Sequence, residues 1–397
     1  MKYLILQPDG VADWPIAELG DRTPLEYAHT PNMDYLASCG LLGMTHTIPR
    51  GCPPGSDVGT MSILGYDPRQ YHTGRSPIEA ASMGVELRPD DVAFRCNLVC
   101  IEDGTMRDFT AGHISTDEAG EIIRDLQREL GGDGFEFHPG VSYRHLLVWR
   151  EGKAGMGTTP PHDITDRAVA GYLPDGDGAD VLRHLMAASQ RILAQHTVNR
   201  ARRERGLRLA TSIWLWGQGK RPLLPTLRQR FGIDGAVISA VDLVNGLGIL
   251  AGLEVIRVPG VTGFLDTNYQ GKASYGLRAL RDKDLVFVHV EATDETGHMG
   301  DVQKKIQAVE DFDSKIVAPI LAGLHEFTEW RLLMMPDHAT PCAVKTHSAD
   351  PVPFVVVAAP DLRGGRNGSA YNERAAAATG LVVAEAHTLL PEYLVRT

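Results

Sequence analysis

The sequence predicts an α/β protein in which a doubly wound, mostly parallel sheet carries an inserted α+β domain. Short apolar runs such as Leu285–Val290 indicate strands that are buried on both faces. Helical stretches lie between these runs, and a strand–helix–strand order is typical of a doubly wound sheet with helices on both faces. The middle of the chain instead mixes hairpins with helices, which predicts a second domain within the first.

The large sheet and its helices account for the two ends of the chain. Its predicted strands, expected to be buried and parallel, are Tyr3–Gln7, Ala236–Ile238, Val255–Val258, Leu285–Val290, Leu332–Met335 and Phe354–Ala358. The clearest predicted helices are Val241–Ala251, Val302–Leu324 and Glu373–Ala378. These elements assign residues 1–70 and 235–397 to a discontinuous core domain.

The inserted domain is predicted to cover residues 71–234, with edges near Tyr71 and Asp234. Its first element is a hairpin, because Asp103-Gly104 is a turn signal between two strand-like runs. The predicted elements are the hairpin strands Asn97–Asp103 and Thr105–Ala111, the helix Glu118–Leu130, the strands Phe135–His138 and Tyr143–Trp149, a long amphipathic helix over Asp180–Arg205 and the strand Leu209–Trp216.

Charge and cysteine content exclude several functional classes. The 397 residues carry a net charge of −11, whereas a protein that binds nucleic acid or an anionic membrane needs a basic face. No apolar stretch reaches 18 residues, and the N-terminal apolar run is too short for a signal peptide. Five scattered cysteines indicate reduced thiols rather than a disulfide framework or a zinc clip. We therefore expect a soluble, cytoplasmic protein, and its oligomeric state stays open.

Candidate metal ligands recur where predicted strands end. Asp9 follows the first strand, and Asp294 and His298 follow the strand Leu285–Val290. Asp337-His338 follows the strand Leu332–Met335, and His347 precedes the last strand, Phe354–Ala358. Each of them alone is an ordinary turn, cap or loop residue. Because the carboxyl ends of strands form the ligand crevice of an open α/β sheet, all of them together predict a metal site. The Asp/His set suits Mn, Zn, Co or Mg, and so many ligands favour two ions that share a substrate oxygen.

Ser56 is the candidate nucleophile. A rigid loop, Gly51-Cys52-Pro53-Pro54-Gly55, leads into an apolar helical stretch and places Ser56 at the helix N-terminus. Free N–H groups and the helix dipole favour a phosphate there. A serine beside a divalent ion can lose its proton and act as a nucleophile, although Ser56 could also simply cap the helix.

Several of these motifs together resemble a known family. Gly55-Ser56-Asp57-Val58, Leu64-Gly65-Tyr66-Asp67-Pro68, the Asp294-x-x-x-His298 spacing, Asp337-His338 and His347 are similar to the cofactor-independent phosphoglycerate mutases of the alkaline phosphatase superfamily. Further stretches resemble the short, archaeal-type branch, among them Thr159-Pro160-Pro161-His162-Asp163 and Trp216-Gly217-Gln218-Gly219-Lys220. The resemblance covers nearly the whole chain and implies an alkaline-phosphatase-like core.

The resemblance implies a phosphoserine mechanism with two divalent ions, of which manganese is expected, without 2,3-bisphosphoglycerate and without a nucleotide. One ion would be held by Ser56, Asp9, Asp337 and His338, and the other by Asp294, His298 and His347. Ser56 would take the phosphoryl group from one hydroxyl of a phosphorylated glycerate and return it to the other. The inserted domain would exclude water by a hinge motion.

The anionic substrate also needs cations from the protein. Lys272 is the candidate phosphate contact from the core, and Arg144, Lys220 and Arg221 are candidates from the insert. His113 and His162 could assist proton transfer. Each of these residues could instead be an ordinary surface or structural charge.

Two other functions remain open at this level. The same core could serve a metal-dependent phosphohydrolase or another phosphotransferase, since a fold does not determine a function. A non-catalytic protein that keeps the ions for structure is the second alternative, which the presence of Ser56 disfavours. No glycine-rich nucleotide loop of the Gly-x-x-x-x-Gly-Lys-Ser/Thr type supports the use of ATP.

Overall fold

The computed structural model describes residues 1–364 and 367–395. The chain divides into two compact units: a core unit, formed by Met1–His72 and the chain from Leu223 onward, and an inserted unit, Thr73–Pro222. The inserted unit thus ends before the short helix Leu227–Phe231, earlier than the edge expected near Asp234.

The strands and helices alternate in the core unit and are mixed in the inserted one. The strands are β1 (Lys2–Pro8), β2 (Leu41–Thr45), β3 (Val92–Glu102), β4 (Thr105–Asp108), β5 (Phe135–His138), β6 (Arg144–Trp149), β7 (Ser212–Lys220), β8 (Gly235–Ile238), β9 (Glu254–Val255), β10 (Leu285–Val290), β11 (Trp330–Met334), β12 (Val352–Ala358) and β13 (Val382–Val383). The α-helices are α1 (Pro24–Tyr27), α2 (Pro31–Cys39), α3 (Ser56–Ile63), α4 (Pro68–Tyr71), α5 (Ser76–Ser82), α6 (Thr116–Leu130), α7 (Ala179–Ala194), α8 (Thr197–Glu204), α9 (Leu227–Phe231), α10 (Asp242–Leu250), α11 (Tyr269–Asp282), α12 (Ala292–Met299), α13 (Val302–Phe312), α14 (Ala318–Gly323) and α15 (Glu373–Ala378).

The core unit is built on a large, mostly parallel sheet. Within the described residues this sheet has eight strands in the order β13-β2-β12-β11-β1-β10-β8-β9, and β1 runs parallel to both of its neighbours. Every residue of β10 is buried. Because successive side chains of a strand point to opposite faces, the sheet must be covered on both sides. The predicted doubly wound α/β fold is therefore confirmed.

The direction of one strand differs from the prediction. β12 pairs antiparallel with both β11 and β2, whereas the run Phe354–Ala358 was expected to form a parallel strand. A fully buried strand reads as the same apolar run in either direction, so the pattern alone does not fix its orientation. The expected strand Val255–Val258 is also shorter in the structure, where β9 pairs only through Glu254 and Val255.

The predicted helix Val302–Leu324 changes its winding along its length. α13 ends at Phe312 and continues through a π-helical turn, Asp313–Val317, into α14. The carboxylate of Asp313 accepts hydrogen bonds from the backbone N–H groups of Asn32 and Met33 at the start of α2, at 3.0 and 2.7 Å.

The inserted unit contains an antiparallel sheet with β3 at its centre, paired with β4, β6 and β7. Buried side chains of α6 and α7 form one apolar core with this sheet. The strand predicted as Leu209–Trp216 is shifted along the chain, since β7 begins at Ser212. The helices found among the described residues of the whole chain are too short or too polar to span a bilayer.

The single helix predicted over Asp180–Arg205 is wrong, because the chain breaks it between α7 and α8 at Gln195 and His196. His196 is the N-cap of α8: its Nδ1 accepts a hydrogen bond from the Val198 N–H at 3.2 Å. Its Nε2 lies 3.1 Å from Asp125 Oδ2 on α6. An imidazole cap is rarer than Ser, Thr, Asp or Asn, so the amphipathic pattern alone gives no sign of the break.

Candidate active site

The predicted metal ligands meet at one edge of the core sheet. β1, β10 and β11 run parallel, so Asp9, the helix α12 and Asp337-His338 all follow strand ends on that edge. His347 precedes β12, and because β12 runs in the opposite direction, its beginning lies at the same edge. The reversed strand is therefore what places His347 near the other ligands.

Asp9, Asp337 and His338 form a first ligand group. One potential ligand atom from each lies within 4.8 Å of the other two, and all three residues are fully buried. His338 Nε2 lies 3.6 Å from Asp9 Oδ1 and 3.4 Å from Asp337 Oδ2. Ser56 belongs beside this group, because its Oγ lies 3.2 Å from the same nitrogen of His338.

Asp294, His298 and His347 form a second ligand group, in which one potential ligand atom from each residue again lies within 4.8 Å of the other two. His298 Nε2 is 3.2 Å from Asp294 Oδ2, and the Nε2 atoms of the two histidines are 2.9 Å apart. The rings of His338 and His347 lie with centroids 4.1 Å apart, so the two groups adjoin. Nitrogens and carboxylate oxygens that converge in this way are arranged as ligands are around an ion.

The residues of both groups fit divalent cations. Asp9 Oδ1 and Asp337 Oδ2 are buried without a hydrogen-bond partner among the described residues, a costly state that a cation would relieve. Burial and the neighbouring carboxylates of Asp337, Glu291 and Asp294 hold the pKa of Asp9 well above its usual value. Oxygen and imidazole ligands together suit Mn, Zn, Co or Mg rather than a metal that prefers thiolates.

Within the second group, Asp294 and His298 shift each other's pKa toward their charged forms. Burial would raise the pKa of Asp294, but the hydrogen bond from His298 and the nearby imidazoles outweigh it and lower that pKa. The same hydrogen bond raises the pKa of His298 to about 9. The Asp294 carboxylate is therefore ionised and ready to meet positive charge.

Ser56 is the first residue of α3, as predicted, and is almost completely buried. The helix start approaches Asp337 so closely that a Cβ at Gly59 would lie 2.7 Å from the Asp337 Cβ. Gly55 precedes the helix, and its carbonyl accepts from the N–H groups of Val58 and Gly59. The first turn is thus fixed against the ligand loop and presents the hydroxyl to His338.

His289 and Glu291 join the site although the sequence prediction did not include them. With Asp9 they form a third set of three potential ligands. His289 Nε2 lies 2.6 Å from Asp9 Oδ2, and its Nδ1 lies 2.8 Å from Ser239 Oγ. Both ring nitrogens are engaged, so His289 orients the Asp9 carboxylate. A histidine within the apolar run Leu-Val-Phe-Val-His-Val is the signal that could have found it.

Lys272 lies next to this part of the site. It is fully buried on α11, and its Nζ donates to the backbone oxygen of His289 at 2.8 Å. Burial lowers its pKa to about 8, partly offset by the charge of Glu291. Burial and the charge of Asp294 in turn raise the pKa of Glu291 to about 8.

The predicted cations of the inserted unit do not form one cluster. Lys220 pairs in register with Val92 at one end of β3, whereas Arg144 pairs with Asn97. At about 3.4 Å per residue, the partner positions Val92 and Asn97 are about 17 Å apart along β3. Lys220 forms an ion pair with Asp90, and Arg221 and His113 are exposed.

Arg144 and His162 do belong together, with two arginines that the prediction missed. His162 packs between Trp216 and Phe109, with ring centroids 5.4 and 5.9 Å away. Burial lowers the pKa of His162, and the charges of Arg95, Arg75 and Arg144 add to this effect against Asp163. We call Arg75, Arg95, Arg144 and His162 the arginine cluster.

Arg95 has the clearest structural support in the arginine cluster. Its Nε donates to Glu79 Oε2 at 2.8 Å, and its guanidinium lies over the Trp216 ring, 4.7 Å from the centroid. Arg144 lies over Tyr143 and is exposed. A charged residue inside the buried strand β3 was the available signal for Arg95.

A family model and the curated relatives with similar sequences point to the same family. A model of the 2,3-bisphosphoglycerate-independent phosphoglycerate mutase family matches residues 37–199. The 2,3-bisphosphoglycerate-independent phosphoglycerate mutase of Methanosarcina barkeri is 51% identical over 392 residues, with 98% of each chain covered.

Two solved structures are also similar. A protein of Pyrococcus horikoshii matches with a TM-score of 0.82 and 31% identity, covering 98% of this chain and 95% of that one. The cofactor-independent phosphoglycerate mutase of Thermoplasma acidophilum matches with a TM-score of 0.66 and 27% identity over 98% of both chains.

We expect Mn²⁺ to stabilise the protein after treatment with EDTA, because it would neutralise the buried carboxylates. At a concentration of 100 times Kd, one site adds about 2.7 kcal/mol to the free energy of unfolding. Thermal unfolding should show a Tm raised by several degrees, and the double variant Asp9→Asn/Asp294→Asn should lose this response. Asp282→Asn, which changes an exposed carboxylate at the end of α11, is the matched control. An unchanged Tm of the unmodified protein with Mn²⁺, Zn²⁺, Co²⁺ and Mg²⁺ would contradict the metal site.

Proposed function

Because this chain belongs to the 2,3-bisphosphoglycerate-independent phosphoglycerate mutases, a family of isomerases, we propose that it interconverts 3-phosphoglycerate and 2-phosphoglycerate. The observation that carries the proposal is the position of Ser56. Its hydroxyl lies at a helix N-terminus, 3.2 Å from His338 of the first ligand group, and the ring of that histidine adjoins the second group. A nucleophile with this surrounding suits phosphoryl transfer.

Two divalent ions are the proposed cofactors. Asp9, Ser56, Asp337 and His338 would hold one, and Asp294, His298 and His347 the other, with manganese as the expected metal. Such ions, when bound, neutralise charge on the phosphoryl oxygens and favour the deprotonated form of a serine hydroxyl. Neither 2,3-bisphosphoglycerate nor a nucleotide is required by this scheme.

The chemistry assigned to Ser56 is a transfer in two steps. Its Oγ loses its proton and forms a bond to phosphorus while the bond between phosphorus and the C3 oxygen of the glycerate breaks, and that oxygen takes a proton. The glycerate turns within the site, and its C2 hydroxyl loses a proton and attacks the phosphoserine. The bond between phosphorus and Oγ then breaks, and Oγ takes a proton, which restores Ser56. Both steps need in-line geometry and the exclusion of water from the phosphoserine ester.

Recognition of the substrate anion is assigned to the inserted unit and to Lys272. The arginine cluster offers guanidinium groups that match a carboxylate or a phosphate. The lowered pKa of His162 favours its neutral form, which suits a group that accepts or returns a proton. Lys220, Arg221 and His113 remain predicted substrate contacts, although Lys220 is paired with Asp90 and the other two are exposed. The cytoplasm is the proposed location.

A metal-dependent phosphohydrolase or another phosphotransferase is the alternative, since the same ligand groups and serine would serve either reaction. The two functions differ in the acceptor of the phosphoryl group, which is water in the hydrolase and the glycerate in the mutase. The products formed from one substrate therefore separate them.

Phosphorus NMR of the purified protein with 3-phosphoglycerate and Mn²⁺, without 2,3-bisphosphoglycerate, should show a new 2-phosphoglycerate signal that EDTA abolishes. The signal is expected because the phosphoryl group returns to the glycerate. Free phosphate as the only product would favour the phosphohydrolase. The absence of any product with every divalent metal would contradict the proposed substrate.

Ser56→Ala should abolish turnover while the protein stays folded, because the phosphoryl acceptor is lost. The expected decrease in kcat is on the order of 10³-fold or more. Ser314→Ala is the matched control, since Ser314 is exposed on the π-helical turn and bonds only to the Glu310 carbonyl among the contacts described. Full activity of Ser56→Ala in the NMR assay would disprove the phosphoserine mechanism.

Arg144→Ala should raise KM for 3-phosphoglycerate about 10–100-fold, the worth of a lost charged hydrogen bond. Because Arg144 is exposed, the free energy of unfolding should stay unchanged. Arg128→Ala on α6 removes another exposed arginine and should leave KM at the level of the unmodified protein. Equal KM values for both variants would remove Arg144 from the substrate site.

A further inference from the structure

A second buried charge system lies beside the ligand groups without belonging to them. Lys305 on α13 and Asp13 after β1 are both fully buried, and Lys305 Nζ lies 2.9 Å from Asp13 Oδ2. Lys305 occupies the apolar face of its helix, one and two turns from Ala308, Val309 and Phe312. Burying an ion pair costs free energy in desolvation, so this pair is weak support for stability, and its contacts are the guide to its role.

The Lys305 ammonium joins two of the ligand loops. Besides Asp13 it donates to the backbone oxygens of Thr340 at 2.8 Å and Ala12 at 3.3 Å. An ammonium has three donors, and all three are used here. Ala12 belongs to the loop that begins with Asp9, and Thr340 to the loop that begins with Asp337.

The Asp13 carboxylate also bonds to the backbone of both loops. Its Oδ1 accepts from the Trp14 N–H at 2.8 Å, and its Oδ2 from the Cys342 N–H at 3.1 Å. The Thr340 N–H donates to the Ala12 carbonyl, and the Ser348 N–H donates to the Ala339 carbonyl. The segment that carries His347 is thereby tied to the same loops.

Thr340 extends this linkage to the ligands themselves. Its hydroxyl lies 2.5 Å from Asp294 Oδ1, in the second ligand group, and 3.2 Å from His338 Nδ1, in the first. The loops approach so closely that a Cβ at Gly10, where φ is +56°, would lie 2.5 Å from Asp294 Oδ1. One residue held by Lys305 therefore contacts a ligand of each group.

We propose that Lys305 and Asp13 are a positioning pair that holds the ligand loops of both metal groups in binding geometry and thereby sets the affinity for divalent ions. The pair contacts neither of the proposed ions. The inference rests on the proposed two-ion site. Residues around metal ligands typically change metal affinity 10–100-fold when they are lost, because they orient the ligands.

The test compares Lys305→Met with Lys304→Met. Lys304 is the adjacent residue, and its side chain is 42% exposed and paired with Asp301, so its variant is the control for loss of one positive charge. Free Mn²⁺ is measured by its EPR signal during titration of each folded protein, and calorimetry gives the number of ions bound. Lys305→Met should bind Mn²⁺ about 10–100-fold more weakly at both sites, and Lys304→Met as the unmodified protein does.

A purely structural role would give a different pattern. It would lower the free energy of unfolding in urea while the Mn²⁺ affinity of the folded Lys305→Met protein stayed within twofold of the unmodified protein, which would overturn the proposal. Failure of the unmodified protein to bind two ions would instead count against the proposed function.

Thr340→Val keeps the test decisive if Lys305→Met does not fold. This variant retains the carbonyl that accepts from Lys305 and removes only the hydroxyl that contacts Asp294 and His338. Mn²⁺ affinity about 10-fold lower would support the linkage. Unchanged affinity at both sites would overturn it.

Discussion

The crowding of buried carboxylates at one edge of the core sheet is the constraint on which the site depends. Asp9, Asp294 and Asp337 are buried close to one another, and Glu291 adds a fourth acidic group. Such an arrangement is unfavourable unless positive charge and fixed donors offset it. The fold supplies His289 against Asp9 and buried lysines at 272 and 305, and it brings together ligand atoms that could hold cations.

Much of the fold and of the two ligand groups could be predicted, because the candidate ligands lie close in sequence to the ends of recognisable strands. Asp9 directly follows β1 and Asp337 follows β11 after two residues, so the positions of the strands nearly determine these candidate ligands. The direction of β12 could not be predicted, because pairing partners and not apolar pattern decide it. His347 lies at the same edge as the other candidate ligands only because β12 runs antiparallel, since a residue before a parallel strand would lie at the opposite edge.

The residues that escaped prediction are those whose importance depends on distant contacts. His289 and Arg95 lie within buried strands, and Lys305 lies on the apolar face of a helix. A charged or polar side chain at such a position is itself informative, because burial is tolerated only with a partner. The identity of that partner, Asp9, Glu79 or Asp13, is set by tertiary structure. Tertiary structure likewise separates Lys220 on β7 from Arg144 on β6, because they pair with distant positions of β3.

The central position of β1 has a consequence for synthesis on the ribosome. β1 is translated long before its neighbours, because about 275 residues lie between β1 and β10 and about 320 between β1 and β11. At about 5–20 residues per second, this strand waits roughly 15–55 s for β10 and roughly 16–64 s for β11. An apolar segment that stays unpaired for so long is a natural client for chaperones, whereas the intervening inserted unit has its whole sequence available much earlier.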